Sequence, residues 1–267
     1  EMSASLVGSE MCIRDSIMTI HEQENILLEE WWNSYPANER DNFVMDGLCY
    51  NGPLNERGTN SFSGNEEKLW VNTKRKIVFL MKDPNGNPGE DYRNWHWRAI
   101  TAKFFKVIFN WLQGLNEITL DYTPLLENNS YFDPANQVIL KYPLAIVNVK
   151  KQSGISSVYD DVLYTYAERD ASFLRRQIRD ILQPNIIVCG GGTHSSMLDI
   201  AKRYIYPEFG DKFVKVNNWC YYMKEPEILL INSWHPSARV SDTQKIDDMM
   251  YAVSDLINKR QPNIFIP

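Results

Sequence analysis

Four short, continuous apolar runs constrain the fold more than any other feature of the sequence. They cover residues 77–81, 144–149, 185–189 and 228–232, and polar or glycine-rich residues follow each of them. Runs of this length, rich in Val, Ile and Leu, predict strands that are buried on both faces of a sheet. The intervening segments show three- and four-residue apolar spacing, which predicts helices. The pattern predicts an α/β protein with three layers, α/β/α, around a four-stranded parallel core sheet.

Composition divides the chain into three parts. Residues 1–17 have no regular apolar period, and we interpret them as a non-native leader before a natural start at Met18. Residues 18–70 carry ten acidic and three basic side chains, and they predict an amphipathic helix followed by a loop that wraps the main domain. Residues 71–267, the predicted main domain, carry a net charge of +3, although the whole chain has −6. This distribution leaves room for a phosphate-binding surface on the main domain.

The sequence gives no sign of a membrane protein or a metalloprotein. No apolar run approaches the length of a membrane-spanning helix. The four cysteines are widely separated, without a CxxC pair, and no HxxxH pattern occurs. We therefore expect neither metal nor cofactor, no membrane association, and a monomer in the reducing cytoplasm.

Polar residues follow the apolar runs and are expected to meet at one place. Right-handed crossovers bring the carboxyl ends of parallel strands to one edge of the sheet, which is where ligands bind in such folds. That edge would collect Asp83, Asn148, the loop 190–193 and His235. Each of these also has a structural interpretation, as a capping or loop-stabilising residue, which the sequence leaves open. The predicted candidate site is this edge.

Three short motifs carry a resemblance to a known family. Residues 82–90 read Lys-Asp-Pro-Asn-Gly-Asn-Pro-Gly-Glu, Asn148 ends the second run, and residues 235–237 read His-Pro-Ser after the last run. In these motifs and in their order, residues 74–258 resemble the uracil-DNA glycosylase superfamily. The family's first motif has Asp-Pro and a later Pro-Gly at the same spacing, and its last motif begins His-Pro-Ser.

The resemblance implies a chemistry and a role for each matching residue. Asp83 would stabilise the sugar cation and orient the attacking water, and His235 would stabilise the departing base anion. Asn148 would recognise the edge of a base that has been flipped out of DNA. Further substrate contacts are expected from Lys82, Pro84, Asn85 and a stacking ring, with Trp95 the chosen candidate beside Tyr92 and Trp97. DNA-backbone contacts are expected from Lys150, Gly191, Thr193, Ser237 and Arg239.

Two positions depart from the family pattern. Asn85 stands where the family-1 enzymes have a tyrosine that excludes the thymine methyl group, so selectivity for uracil does not follow. Arg239 stands at the position of a leucine wedge, and this resembles the single-strand-selective monofunctional branch.

The sequence therefore predicts a monofunctional DNA glycosylase that acts on uracil or a related damaged base. Two alternatives stay open. One is a nucleoside or nucleotide hydrolase or transferase that acts on a free small molecule at the same edge. The other is a non-catalytic module of the same fold that binds DNA or a modified base.

Overall fold

A mixed sheet of seven strands organises the computed structural model of the protein, which describes residues 18–85, 87–94, 103–128, 135–154, 158–191 and 196–266. In chain order, the strands are Gly47–Leu48 (β1), Ile77–Met81 (β2), Ala145–Asn148 (β3), Ile186–Gly190 (β4), Val214–Lys215 (β5), Cys220–Met223 (β6) and Ile228–Ser233 (β7). Their order across the sheet is β1-β3-β2-β4-β7-β6-β5.

The sheet is larger than the four-stranded sheet expected from the sequence. β3, β2, β4 and β7 pair with one another in parallel. β1 adds to the free side of β3, and β6 and β5 extend the sheet beyond β7, all three in antiparallel pairing. The additional strands have only two to four residues. Of the three, only β5 is indicated by the sequence, because it lies in the stretch 213–216 that predicts an edge strand or hairpin.

The strand order creates a topological switch point between β2 and β4. From β2 the chain crosses to β3 on one side, and it then returns to β4 on the other side of β2. In open α/β sheets, ligands bind in the crevice beyond the carboxyl ends of the two strands at which the order reverses. Asp83 is the second residue after β2 and Gly191 is the first after β4, so both lie at the mouth of this crevice.

The helices differ in detail from the sequence prediction. The sequence predicts a wrapping loop over residues 33–70, but this segment contains α-helical turns and β1. The sequence also predicts one helix over residues 160–182, which the structure divides into two α-helices and a π-helical segment. The α-helices in the described ranges are Ile20–Ser34 (α1), Ala37–Arg40 (α2), Glu66–Asn72 (α3), Lys103–Glu117 (α4), Ala135–Lys141 (α5), Asp160–Arg169 (α6), Ala171–Arg175 (α7), Ser196–Ile200 (α8) and Asp242–Arg260 (α9). The π-helical segments Arg176–Leu182 and Ala201–Ile205 continue α7 and α8.

Alternating side chains of β2 enter two separate hydrophobic cores. Phe79 lies in a cluster with Trp111 of α4 and Met250 of α9. Leu80 lies in a second cluster, with residues of α1 and α7 that include Leu174. Because successive strand residues point to opposite faces, helices cover both faces of the sheet. Within the described part of the chain, no helix combines the length and the apolar character needed to cross a membrane.

The acidic N-terminal segment is part of this second core. Trp31 of α1 is fully buried, its ring stacks on Phe173 at a centroid distance of 5.2 Å, and the Lys151 ammonium lies 4.7 Å from its centroid. The capping box of Thr19 and Glu22 fixes the start of α1. Residues of α1 therefore contribute to the packing behind the candidate site.

We expect Trp31→Ala to lower the free energy of unfolding by about 3–5 kcal/mol, because a fully buried aromatic side chain is removed. The neighbouring Trp32→Ala is the matched control, since Trp32 is 36% exposed, and it should cost less than about 1 kcal/mol. Denaturant unfolding of both variants measures the difference. Equal losses would contradict the packing of α1 described here.

Candidate active site

Hydrogen bonds between the loops after β2 and β3 fix the position of Asp83. The pairing of the two strands continues past their ends, because the Lys150 N–H donates to the Lys82 carbonyl at 3.0 Å. Further along, the Gly154 N–H donates to the Pro84 carbonyl at 2.9 Å. The two bonds join the loop after β2 to the loop after β3, one bond on each side of Asp83. The backbone that carries the Asp83 side chain is therefore held on both sides of this residue.

The Asp83 carboxylate is mostly buried beside a lysine. Its side chain is 11% exposed, and Oδ2 lies 3.7 Å from the Lys150 Nζ. Burial raises the pKa of Asp83 above its ordinary value, while the positive charges of Lys150 and Lys82 oppose the increase. Gly154 lies against the same oxygen, and a Cβ built there would overlap it. A side chain at position 154 would therefore displace the Asp83 carboxylate, and the sequence motifs did not indicate this residue.

His235 lies in a turn after β7 with a defined tautomer. The turn is closed by a hydrogen bond from the Ala238 N–H to the His235 carbonyl at 2.8 Å. Its Nδ1 accepts the Ser237 N–H at 3.2 Å, so in the neutral ring the proton is on Nε2. Burial, together with smaller contributions from the charges of Lys82 and Lys245, lowers the pKa of His235 to about 4. His235 is therefore a neutral hydrogen-bond donor through Nε2 at physiological pH.

The turn that carries His235 is anchored from α9 and packed from α4. Lys245 is completely buried, and its Nζ donates to the Pro236 carbonyl at 2.9 Å and lies 3.3 Å from Asp242 Oδ1. The ring of Phe104 lies 5.7 Å from the imidazole, centroid to centroid. Neither residue belongs to the sequence motifs that predicted the site. Lys245 interrupts the apolar side of α9, and this is the only signal that could have singled it out.

Lys82 connects the two candidate catalytic groups electrostatically. Its Nζ lies 3.3 Å from Asp160 Oδ1 in α6, and its charge lowers the pKa of Asp83 and also that of His235. Because one ammonium group influences both, Asp83 and His235 share one electrostatic environment at the carboxyl edge of the sheet.

Asn148 lies at the end of β3 and is 3% exposed. Its backbone N–H and its side-chain Nδ2 both donate to Asp46 Oδ2, each at 3.0 Å. Asp46 is also buried, and its other oxygen is paired with the ammonium of Lys151. Asp46 is 102 residues from Asn148 in the chain, and no sequence motif predicted the contact.

The remaining predicted residues have varied surroundings. Pro84 is buried and Asn85 is exposed, while Ser237 and Arg239 are exposed beyond β7. Arg239 makes no ion pair with any residue that the structure describes. Trp95 and Thr193 lie outside the described residues.

Two predicted phosphate-binding groups are engaged within the protein. The Lys150 Nζ donates to the Gln152 carbonyl at 2.8 Å and lies beside Asp83, so it faces the site. The Gly191 N–H donates to the Cys189 carbonyl at 3.0 Å, and a Cβ at Gly191 would come within 2.7 Å of Met197 Cγ.

No model of a known protein family matches the chain, and no curated protein matches it either. Among the described residues, no group of three or more His, Cys, Asp or Glu side chains is arranged to hold a metal ion. The candidate site is therefore defined by its own geometry.

We expect Lys82→Met to raise the pKa of both Asp83 and His235, because the lysine charge lowers both in the native protein. Lys150→Met is the matched comparison, and it should raise the pKa of Asp83 alone. NMR titration of the Asp83 carboxyl carbon and the His235 ring reports the two groups separately. An unchanged pKa of His235 in Lys82→Met would show that the two groups do not share the influence of Lys82.

Proposed function

We propose that the chain is a DNA glycosylase that hydrolyses the N-glycosidic bond of uracil or a related damaged base flipped from DNA. The proposal rests chiefly on the pair formed by Asp83 and His235, a carboxylate and a neutral imidazole under the influence of one lysine. We further propose that β3, β2, β4 and β7 are the core of a three-layer fold of the uracil-DNA glycosylase type.

The reaction needs one group for each developing charge. As the bond between C1′ and the base nitrogen breaks, positive charge develops on the sugar and negative charge on the base. The Asp83 carboxylate stabilises the sugar cation and accepts a proton from the water that attacks C1′. The raised pKa of Asp83 makes it a stronger base than an ordinary aspartate. The electrons of the broken bond leave with the base.

His235 stabilises the departing base. Its Nε2–H donates a hydrogen bond to a carbonyl oxygen of the base, where negative charge accumulates. A neutral imidazole is suited to this role because its Nε2–H remains in place across the physiological pH range. The Ser237 N–H and the buried Lys245 hold the turn, so the donor is oriented before the substrate binds.

DNA is the proposed partner, and Arg239 is its proposed contact beside the flipped base. The guanidinium is exposed, permanently charged and planar. It can therefore stack on the bases that border the space left by the flipped base, and it can also contact a phosphate. The net charge of +3 over residues 71–267 agrees with binding to a polyanion.

We expect Asp83→Asn to lower the excision rate by at least ~100-fold and to leave DNA binding unchanged, because the charge acts in the transition state. Asp161→Asn makes the same chemical change at an exposed position of α6 and should keep full activity. Single-turnover excision from oligonucleotides that carry uracil, hypoxanthine, xanthine or 5-substituted uracils measures the rates. Near-normal turnover by Asp83→Asn would exclude the proposed role of Asp83, and binding without turnover by the wild-type protein would favour a non-catalytic module.

We expect Arg239→Ala to weaken excision from paired DNA more than from single strands, because only in paired DNA does the flipped base leave an unfilled space opposite a partner base. The salt dependence of binding should flatten by roughly one phosphate contact. Lys215→Ala in the exposed strand β5 is the control for general loss of positive charge. Rates across a salt series on both substrates provide the measurement. Equal losses with an unchanged salt slope would make Arg239 an ordinary surface residue, and cleavage of free nucleosides without DNA would favour a small-molecule hydrolase.

A further inference from the structure

The contact with Asp46 permits only one orientation of the Asn148 amide. Asp46 Oδ2 lies 3.0 Å from Nδ2 of Asn148 and also accepts its backbone N–H. A carboxylate paired with an ammonium group offers only acceptors, so the amide nitrogen must face it. Rotation of the amide by half a turn would place two oxygens in contact. Asparagine side chains otherwise exchange their two ends by this rotation.

Asp46 itself is held in place by buried partners. Its Oδ1 is paired with the Lys151 ammonium, which also donates to Gln177 Oε1 at 3.0 Å. Gln177 in turn donates to the Asp46 carbonyl at 2.8 Å. Asp46, Lys151 and Gln177 are all buried, with exposures of 1%, 0% and 0%. Its ion pair and its burial hold the carboxylate against Asn148.

The fixed amide offers a defined pattern to a ligand. Asn148 Oδ1 accepts no hydrogen bond from any described residue, so it remains an acceptor. Asp46 holds one hydrogen of Nδ2, and the second remains a donor. An acceptor beside a donor matches a base edge with a ring N–H next to a carbonyl, as in uracil, hypoxanthine and xanthine. Cytosine and adenine present the opposite pattern, a ring nitrogen acceptor next to an amino group.

We propose that Asp46 is a positioning residue that fixes the amide of Asn148 and thereby restricts the substrate to bases with a ring N–H beside a carbonyl. The inference rests on the proposed glycosylase function. Asn148 makes the contact, and Asp46 removes the orientation that would accept cytosine. Discrimination here comes from the rejected pairing as much as from the favoured one.

The test compares excision of uracil and cytosine from single-stranded oligonucleotides by the wild-type protein, Asp46→Asn and Glu24→Gln. In Asp46→Asn the new amide can face Asn148 with either its donor or its acceptor, so the amide of Asn148 can take both orientations. The ratio of cytosine to uracil excision should rise at least about tenfold. Glu24→Gln changes a fully buried acid that contacts Gln177 but not Asn148, and it should leave the ratio unchanged.

The outcomes separate the inference from the function on which it rests. No excision of any base by the wild-type protein would refute the proposed function. Wild-type excision of uracil with an unchanged ratio in folded Asp46→Asn would overturn only the role of Asp46. An equal rise in both variants would indicate general loosening of the buried network and would also overturn it.

A second variant and a second measurement test the inference even if Asp46→Asn does not fold. Asp46→Asn combined with Lys151→Met removes both buried charges together, and the same rise in ratio is expected from it. Inhibition of the wild-type protein by free bases needs no variant at all. Free uracil should inhibit excision and free cytosine should not, whereas equal inhibition by the two would overturn the inference.

Discussion

The buried ion pair between Asp46 and Lys151 is the interaction on which the rest of the structure depends. It lies where α1, β1, the end of β3 and the π-helical segment after α7 meet. Burial lowers the pKa of Lys151, and the negative charge of Asp46 opposes the decrease. Removing one partner of such a pair leaves an uncompensated charge and typically costs about 3–5 kcal/mol. The pair therefore ties the position of the N-terminal helix to that of Asn148.

Several acidic side chains of the N-terminal segment, residues 18–70, lie inside the protein and not on its surface. Glu24, Asp46 and Glu66 are all buried, and their positively charged or imidazole partners are Arg93, Lys151 and His21. Part of the negative charge counted from the sequence is thus neutralised inside the protein. A net charge taken from composition describes the surface only when the charged groups are on the surface. Because Arg93 and Lys151 are counted in the net charge as well, the value of −6 does not change, but part of the acidity of residues 18–70 is matched by positive charge inside the protein.

The sequence predicted those features that depend on local pattern. The apolar runs located β2, β3, β4 and β7, and the residues after them placed Asp83 and His235 at strand ends. It did not predict β1 and β6, because strands of two to four residues form only when a neighbouring strand is available. Nor did it predict the contacts of Asp46 or Gly154, since these join segments that only the tertiary fold brings together.

Burial and charge act differently on the two candidate catalytic groups. Burial raises the pKa of Asp83 and lowers that of His235, so burial alone would favour a neutral form of both. The proposed reaction needs the carboxylate ionised and the imidazole neutral. A nearby positive charge favours the ionised carboxylate and disfavours the protonated imidazole, so it assists both requirements at once. At Asp83 the larger contribution of this kind comes from Lys150 and the smaller from Lys82, and Lys82 also acts on His235. A lysine whose charge acts on both groups therefore helps a mostly buried site to keep the carboxylate ionised and the imidazole neutral.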